Sequence, residues 1–190
     1  SAQTAEINHL EIGLNQNKTG NYADALRNFS LEIEKTAANP NPIAFYNRGF
    51  AKYNLKDFQG AILDFNKALE LKPNYFEAFI ARGQSFSKQD NHPLAIQDYN
   101  EAIQNFSNPL RIDDSHESAY IARAQSEMSL KNYLGAIQDY NMAIELDVKH
   151  SEYYAKRGYA KFMLDDFSGA IDDYSMIIEL DPSDGRAYRM

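Results

Sequence analysis

Apolar residues recur along this 190-residue chain at helical steps, and polar breaks interrupt them at regular intervals. Ala25, Ala61, Ala95, Ala136 and Ala170 each stand four residues before an aromatic: Phe29, Phe65, Tyr99, Tyr140 and Tyr174. The i, i+4 step puts both members on one helix face. Ala68, Ala102 and Ala143 extend the stripe three residues on, where the first and last copies carry Glu32 and Ile177. Twelve residues before each alanine is a small residue: Gly13, Gly49, Gly83, Ala124 and Gly158. These markers are spaced 36, 34, 41 and 34 residues apart, so the unit is 34 residues, with two insertions.

Between the markers Asn21, Asp57, Asn91, Asn132 and Asp166 hold one equivalent position. A side-chain oxygen there accepts from the free N–H groups of a first turn, so a second helix is predicted to start at each. First helices carry their own start signals: Asn41-Pro42, Asn74 with Glu77, and Asp114 with Glu117. Pro73 and Pro182 close units. Five helix–turn–helix copies follow, over 6–41, 42–75, 76–109, 117–150 and 151–184, with an insertion at 105–116 and the start of a further, truncated helix at 185–190. The insertion falls in NFSNPLRIDDSHES, residues 105–118, whose Pro109 and polar run predict a loop.

This 34-residue pattern of small residue, alanine, aromatic and closing proline resembles the tetratricopeptide repeat over roughly residues 6–184. The large aromatic expected early in the first helix is Phe45, Phe79, Tyr120 and Tyr154, but His9 in the first copy. The closing proline is replaced by Ser107 and Val148 in the third and fourth copies. The resemblance implies an all-α, right-handed superhelical solenoid forming a single array over 1–190. It further implies a non-catalytic scaffold that binds a protein or peptide segment in a concave groove lined by the first helices.

The stripe facing that groove is predicted from helical spacing. It is Tyr46, Phe50 and Tyr53 in the second copy, and Ile80, Gln84 and Ser87 in the third. Ile121, Gln125 and Met128 follow in the fourth copy, and Ala155, Tyr159 and Phe162 in the fifth; the first copy offers Leu10, Leu14 and Asn17. Tyr and Phe are common interface anchors, and the two glutamines can bond an extended backbone. Some family members clamp a terminal carboxylate with Lys, Arg and Asn. Here the corresponding positions mostly hold residues such as Leu10, Leu14, Ile80 and Ala81, which argues against such a clamp.

Four arginines, Arg48, Arg82, Arg123 and Arg157, precede the small residue, and Asp64, Asp98, Asp139 and Asp173 precede the second-helix aromatic. The first copy lacks both, with Ile12 and Asn28. Features that appear and vanish together predict structural Arg–Asp pairs. A matched carboxylate would neutralise any arginine ladder aimed at an anionic partner. The mid-helix glycines each cost ~1 kcal/mol against alanine, which calls for a steric reason: close approach of two helices. No phosphate-binding glycine motif is present. Asp165-Asp166 and Asp172-Asp173 point about 100° apart within each pair, so they read as a solvated acidic face with Asp166 as a cap.

Composition narrows the partner. The net charge of −8 repels phosphate backbones, so nucleic acid is not expected. With no cysteine, thiolate chemistry and Cys-ligated zinc are absent, and His9, His92, His116 and His150 have no ligand spacing, so neither metal nor cofactor is predicted. No apolar run reaches the ~20 residues of a membrane span. The chain starts at Ser1 without Met, the mark of a trimmed or matured form, and the open last hairpin makes homo-dimerisation through that end a further expectation. Two other readings stay open: a targeting or regulatory segment of a larger enzyme, and a self-associating structural module.

Overall fold

A computed structural model describes residues 8–104 and 114–180, and among these every regular element is an α-helix. The helices are α1 (His9–Lys18), α2 (Tyr22–Lys35), α3 (Pro42–Asn54), α4 (Phe58–Leu71), α5 (Phe76–Ser87), α6 (His92–Gln104), α7 (Asp114–Ser129), α8 (Tyr133–Leu146), α9 (Ser151–Phe162) and α10 (Phe167–Leu180). They fall into two compact units: Ser1–Asn91 holds α1–α5, and His92–Met190 holds α6–α10. The predicted truncated helix at 185–190 and the first part of the predicted insertion lie outside the described residues. The end of that insertion is not loop, because α7 already runs from Asp114.

The turn inside each helical hairpin is built the same way five times. One residue adopts positive φ: Gly20, Lys56, Asp90, Lys131 and Asp165. Around Lys56, the Asp57 N–H donates to the Lys52 carbonyl (2.9 Å) and the Lys56 N–H to the Tyr53 carbonyl (2.9 Å). This is a Schellman closure, in which the free carbonyls at the end of one helix accept from the N–H of the turn residue and of the next helix's cap. The same bond pair recurs at Asn21, Asn91, Asn132 and Asp166. Four of the five left-handed residues are not glycine, so nothing in their identity announces the turn.

The predicted caps divide. Asp57, Asn132 and Asp166 each accept from the N–H of a glycine three residues on: Gly60 (2.9 Å), Gly135 (3.3 Å) and Gly169 (2.9 Å). A Cβ on Gly60 or Gly169 would fall 2.0 or 2.2 Å from the capping carboxylate, so the glycine opens the space the cap occupies. Asn21 differs from expectation: its side chain makes no cap bond and its amide donates to Asp24 Oδ2 (2.7 Å). The Asn74 start is also corrected. The cap of α5 is Tyr75, whose ring packs on Tyr46 (5.0 Å between centroids) beneath Lys72 Nζ (4.2 Å), and burying that ring sets the helix entry.

The core follows the alanine–aromatic stripe. Ala25, Ala61, Ala95 and Ala136 are buried with Phe29, Phe65, Tyr99 and Tyr140. In the first unit Ala51 of α3 packs on Ala25 and Phe29 of α2, and Ala81 of α5 on Ala61 and Phe65 of α4. In the second unit Tyr153 and Tyr154 of α9 pack on Ala143 and Ile144 of α8. The mid-helix glycines are where a helix meets the ring of its hairpin mate. A Cβ on Gly13 would lie 2.7 Å from Phe29, and one on Gly49 2.8 Å from Phe65. At Gly158 the nearest ring atom, on Tyr174, is 3.1 Å away, and Ala124 occupies the equivalent place beside Tyr140.

Candidate functional site

The arginine that precedes the small residue reaches three ways. Arg48 Nε and Nη2 form a fork on Asp64 at 2.9 and 2.7 Å; Arg123 does the same on Asp139 at 2.8 and 2.6 Å. Arg157 grips Asp173 with Nε at 3.0 Å and Nη2 at 2.5 Å. Such planar, bidentate pairing suits a guanidinium and a carboxylate. The third arm, Nη1, crosses to the preceding hairpin: Arg48 to Ser30 (3.3 Å), Arg82 to Asn66 (2.7 Å), Arg123 to Asn100 (2.6 Å) and Arg157 to Asn141 (2.7 Å). Each guanidinium also lies 5.4–5.8 Å from the ring three residues earlier, at Phe45, Phe79, Tyr120 or Tyr154. The hydrogen bonds that Arg123 donates to Asp139, opposed by burial, raise the Arg123 pKa above its ordinary value. Asp98, in the second unit, is buried like its equivalents.

Residues that the spacing argument missed complete these pairs. Lys52 Nζ sits 2.8 Å from Asp64 and Lys161 Nζ 3.0 Å from Asp173, so these two buried carboxylates each hold two cations. Asp173 is therefore core, while Asp165, Asp166 and Asp172 remain exposed. The recurring Asn one residue after the aromatic (Asn66, Asn100, Asn141) was the visible signal for the third arm. In the first hairpin a neutral set fills the same place: His9 Nδ1 pairs with Asn28 Oδ1 (2.9 Å), and Asn28 Nδ2 donates to Gln16 Oε1 (2.9 Å).

The first-helix stripe separates into buried and open members. In the first unit, Tyr46 lies against Phe65 (5.8 Å between centroids) and Tyr75, and burial pushes its hydroxyl up to about 12. Ile80, which spacing placed in the same stripe, is buried. Tyr53 stands edge-on to Phe58 and is half-buried, as is Gln84. Phe50 is 36% exposed, its ring propped edge-on by Tyr22 at 6.2 Å. In the second unit, Ile121 and Met128 pack against core clusters, whereas Gln125 is exposed. Tyr159 and Phe162 are 43% and 50% exposed, and Phe162 stands edge-on to Phe167 at 5.5 Å.

Among the described residues no cluster of His, Asp and Glu could hold a metal ion, and no helix is long and apolar enough to cross a membrane. Three of the four histidines are engaged or packed: His9 with Asn28, His150 against the Tyr153 ring (4.0 Å), and His116 buried.

Tetratricopeptide-repeat family models match residues 42–75 and 80–151, together more than half of the chain. The chain belongs to the tetratricopeptide-repeat family. No curated protein matches it in a sequence search. Among solved structures, MamA from Desulfovibrio magneticus RS-1 (residues 41 to the end) is similar with a TM-score of 0.78 at 24% identity, covering 93% of this chain and 95% of that one. A MamA RS-1 double mutant is similar with a TM-score of 0.80 at 23% identity, over 95% of this chain and 99% of that one. YrrB, described as a tetratricopeptide-repeat protein with an unusual peptide-binding site, gives 0.77 at 16% identity, over 95% of this chain and 88% of that one. These likenesses show the fold, an all-α helical-repeat solenoid, and family and fold together make the chain an interaction scaffold.

Proposed function

We propose that the chain is a non-catalytic scaffold that holds a protein or peptide segment against its first helices. The observation that carries this is the exposure of Phe50 on α3 and of Tyr159 and Phe162 on α9, at 36%, 43% and 50%. The second-helix aromatics and small residues already supply the core, so these rings are surplus to folding, and exposed apolar patches of this kind serve as contact surfaces. Rings held edge-on by Tyr22 and Phe167 are pre-oriented and lose little entropy on binding. Gln125 is exposed and Tyr53 and Gln84 are half-buried, and their polar atoms can bond an extended backbone. Tyr46 in the first unit and Ile121 and Met128 in the second pack on the core clusters of their own units, and Ile80 is buried. The peptide-binding character ascribed to YrrB fits the same reading.

A photo-crosslinking amino acid placed at residue 50 or 159, followed by mass spectrometry, tests it. Partners captured there are expected to be lost from the Phe50→Ala/Tyr159→Ala chain and kept by Leu63→Asp, a change on an exposed position of α4. Equal capture by all three chains rejects the first-helix surface as the site. Crosslinks solely between copies would instead favour the self-associating module.

A further inference from the structure

Counted from the small-residue marker, the third residue on is Gln16, Lys52, Phe86, Glu127 and Lys161. The two lysines do one job. Lys52 Nζ lies 2.8 Å from Asp64 Oδ2 and 3.5 Å from the Gly60 carbonyl oxygen. Lys161 Nζ lies 3.0 Å from Asp173 Oδ2 and 3.3 Å from the Gly169 carbonyl oxygen. In both hairpins an ammonium bridges the buried carboxylate and the first turn of the second helix.

The hairpin α7–α8 keeps the rest of this arrangement. Asp139 is buried and takes the Arg123 fork. Gly135 stands where Gly60 and Gly169 stand, capped by Asn132 as those are by Asp57 and Asp166. The difference is Glu127, an anion in the place of the ammonium. It reaches the same first turn: its Cδ lies 3.1 Å from where a Cβ on Gly135 would be, and its Oε2 accepts from Asn132 Nδ2 (2.6 Å). Among the described residues Glu127 makes no ion pair, with Lys131 four residues on or with any other cation. Arg, Lys and Asp sum to one positive charge in α3–α4 and in α9–α10, whereas Arg123, Glu127 and Asp139 sum to one negative. A half-buried anion of this kind is stabilised by a counter-charge.

We infer that Glu127 and the Gly135 carbonyl form a seat for a primary ammonium, supplied by a lysine of the segment held against the first helices. The inference rests on that reading of the surface, since Glu127 and the exposed Gln125 share α7. Lys52 and Lys161 show which cation fits: a compact ammonium whose three donors divide between carboxylate and carbonyl. The seat is interior to its unit, with α6 packed against α7 and α9 against α8.

The probe is n-butylammonium, the end of a lysine side chain, titrated into the full isotope-labelled chain. The readouts are the NMR resonances of the Gly135 amide and the Asn132 side-chain amide. A saturable shift confined to α7–α8 is expected, lost in Glu127→Gln and in Glu127→Lys. Tetramethylammonium, which has the charge without the donors, is expected to bind at least tenfold more weakly. Glu127→Lys supplies the ammonium from within, so hydrogen exchange of α7 and α8 should slow severalfold, which also reports that this variant folds. No localised shift, an equal shift in Glu127→Gln, or faster exchange in Glu127→Lys overturns the inference. So does a tenfold gain in probe affinity on Lys131→Gln, which would make the chain's own lysine the occupant. Micromolar binding of spermidine at the same resonances overturns it too, since a free polyamine would then fill the seat. If butylammonium binds here while capture at residues 50 and 159 ignores Phe50→Ala/Tyr159→Ala, the ammonium seat stands and the first-helix reading alone fails.

Discussion

The hairpin α1–α2 and the hairpin α3–α4 solve one problem with opposite chemistry. In α3–α4 a buried carboxylate, Asp64, is held by the Arg48 fork and by Lys52 at 2.8 Å. In α1–α2 the same slots hold Asn28, Ile12 and Gln16, and His9 closes a chain of neutral hydrogen bonds. A buried charge is tolerated only with its counter-charge in place, whereas amides satisfy each other without one. That is why arginine and aspartate are gained or lost together within one chain.

The largest test breaks the charged version. Asp64→Ala strands two cations and is expected to destabilise the first unit by about 3–5 kcal/mol. Faster hydrogen exchange of α3 and α4 amides, with α8–α10 unchanged, is the readout. Gly49→Ala comes next. Its Cβ would meet the Phe65 ring at 2.8 Å, and overpacking of about 1–3 kcal/mol outweighs the gain in helix propensity. Gly158→Ala, whose Cβ would meet Tyr174 at 3.1 Å and Asp173 at 3.2 Å, should cost less than Gly49→Ala when the two variants are compared by urea titration. Equal effects at the two glycines would show that ring clearance is not what the small residue secures.

A transplant sharpens the comparison. Phe45→His, Arg48→Ile, Lys52→Gln and Asp64→Asn together rebuild the neutral set in the second hairpin. The combined variant should lie within about 1 kcal/mol of the parent, because replacing a whole buried ion network is far milder than removing one member. A loss as large as that of Asp64→Ala would mean the slots are not equivalent. Smaller again is the turn: Lys56→Gly relieves a residue at φ 66° and is expected to raise thermal stability by about 0.5–1 kcal/mol. The mildest lever is alkali. The Tyr46 hydroxyl is raised by burial to about 12, so its neutral form contributes stability in full below pH 10. That contribution is lost as pH rises from 10 toward 12, and Tyr46→Phe should flatten the fall in urea midpoint over that range.

The repeat itself was legible because its markers are steric. Only a small residue fits against Phe29 or Phe65, and only an alanine–aromatic step fills the space between paired helices, so identity and position carry the information. The Arg–Asp correspondence was legible from co-occurrence alone. Other features left no mark. Lys56, Lys131 and Asp165 take left-handed backbone conformations because Schellman bonds on both sides hold them there. Asn74 looked like a cap and lost to the burial of Tyr75. Lys52 and Lys161 became counter-ions only because α4 and α10 bring Asp64 and Asp173 within 3.0 Å of them.

The stripe on the first helices shows the boundary between the two kinds of knowledge. Helical spacing alone grouped Tyr46, Phe50, Ile80, Tyr159 and Phe162 on one side of their helices, since periodicity is a property of the backbone. Which of them reach solvent was decided by what packs across them. Tyr75 and Phe65 cover Tyr46, Ile80 is buried, and Phe50, edge-on to Tyr22, stays partly exposed. Sequence by itself determined the period, the helices and their contact faces through local sterics and hydrogen bonding. Only the tertiary structure decided which apolar residues are core and which remain free to bind, because burial depends on neighbours that lie tens of residues away along the chain.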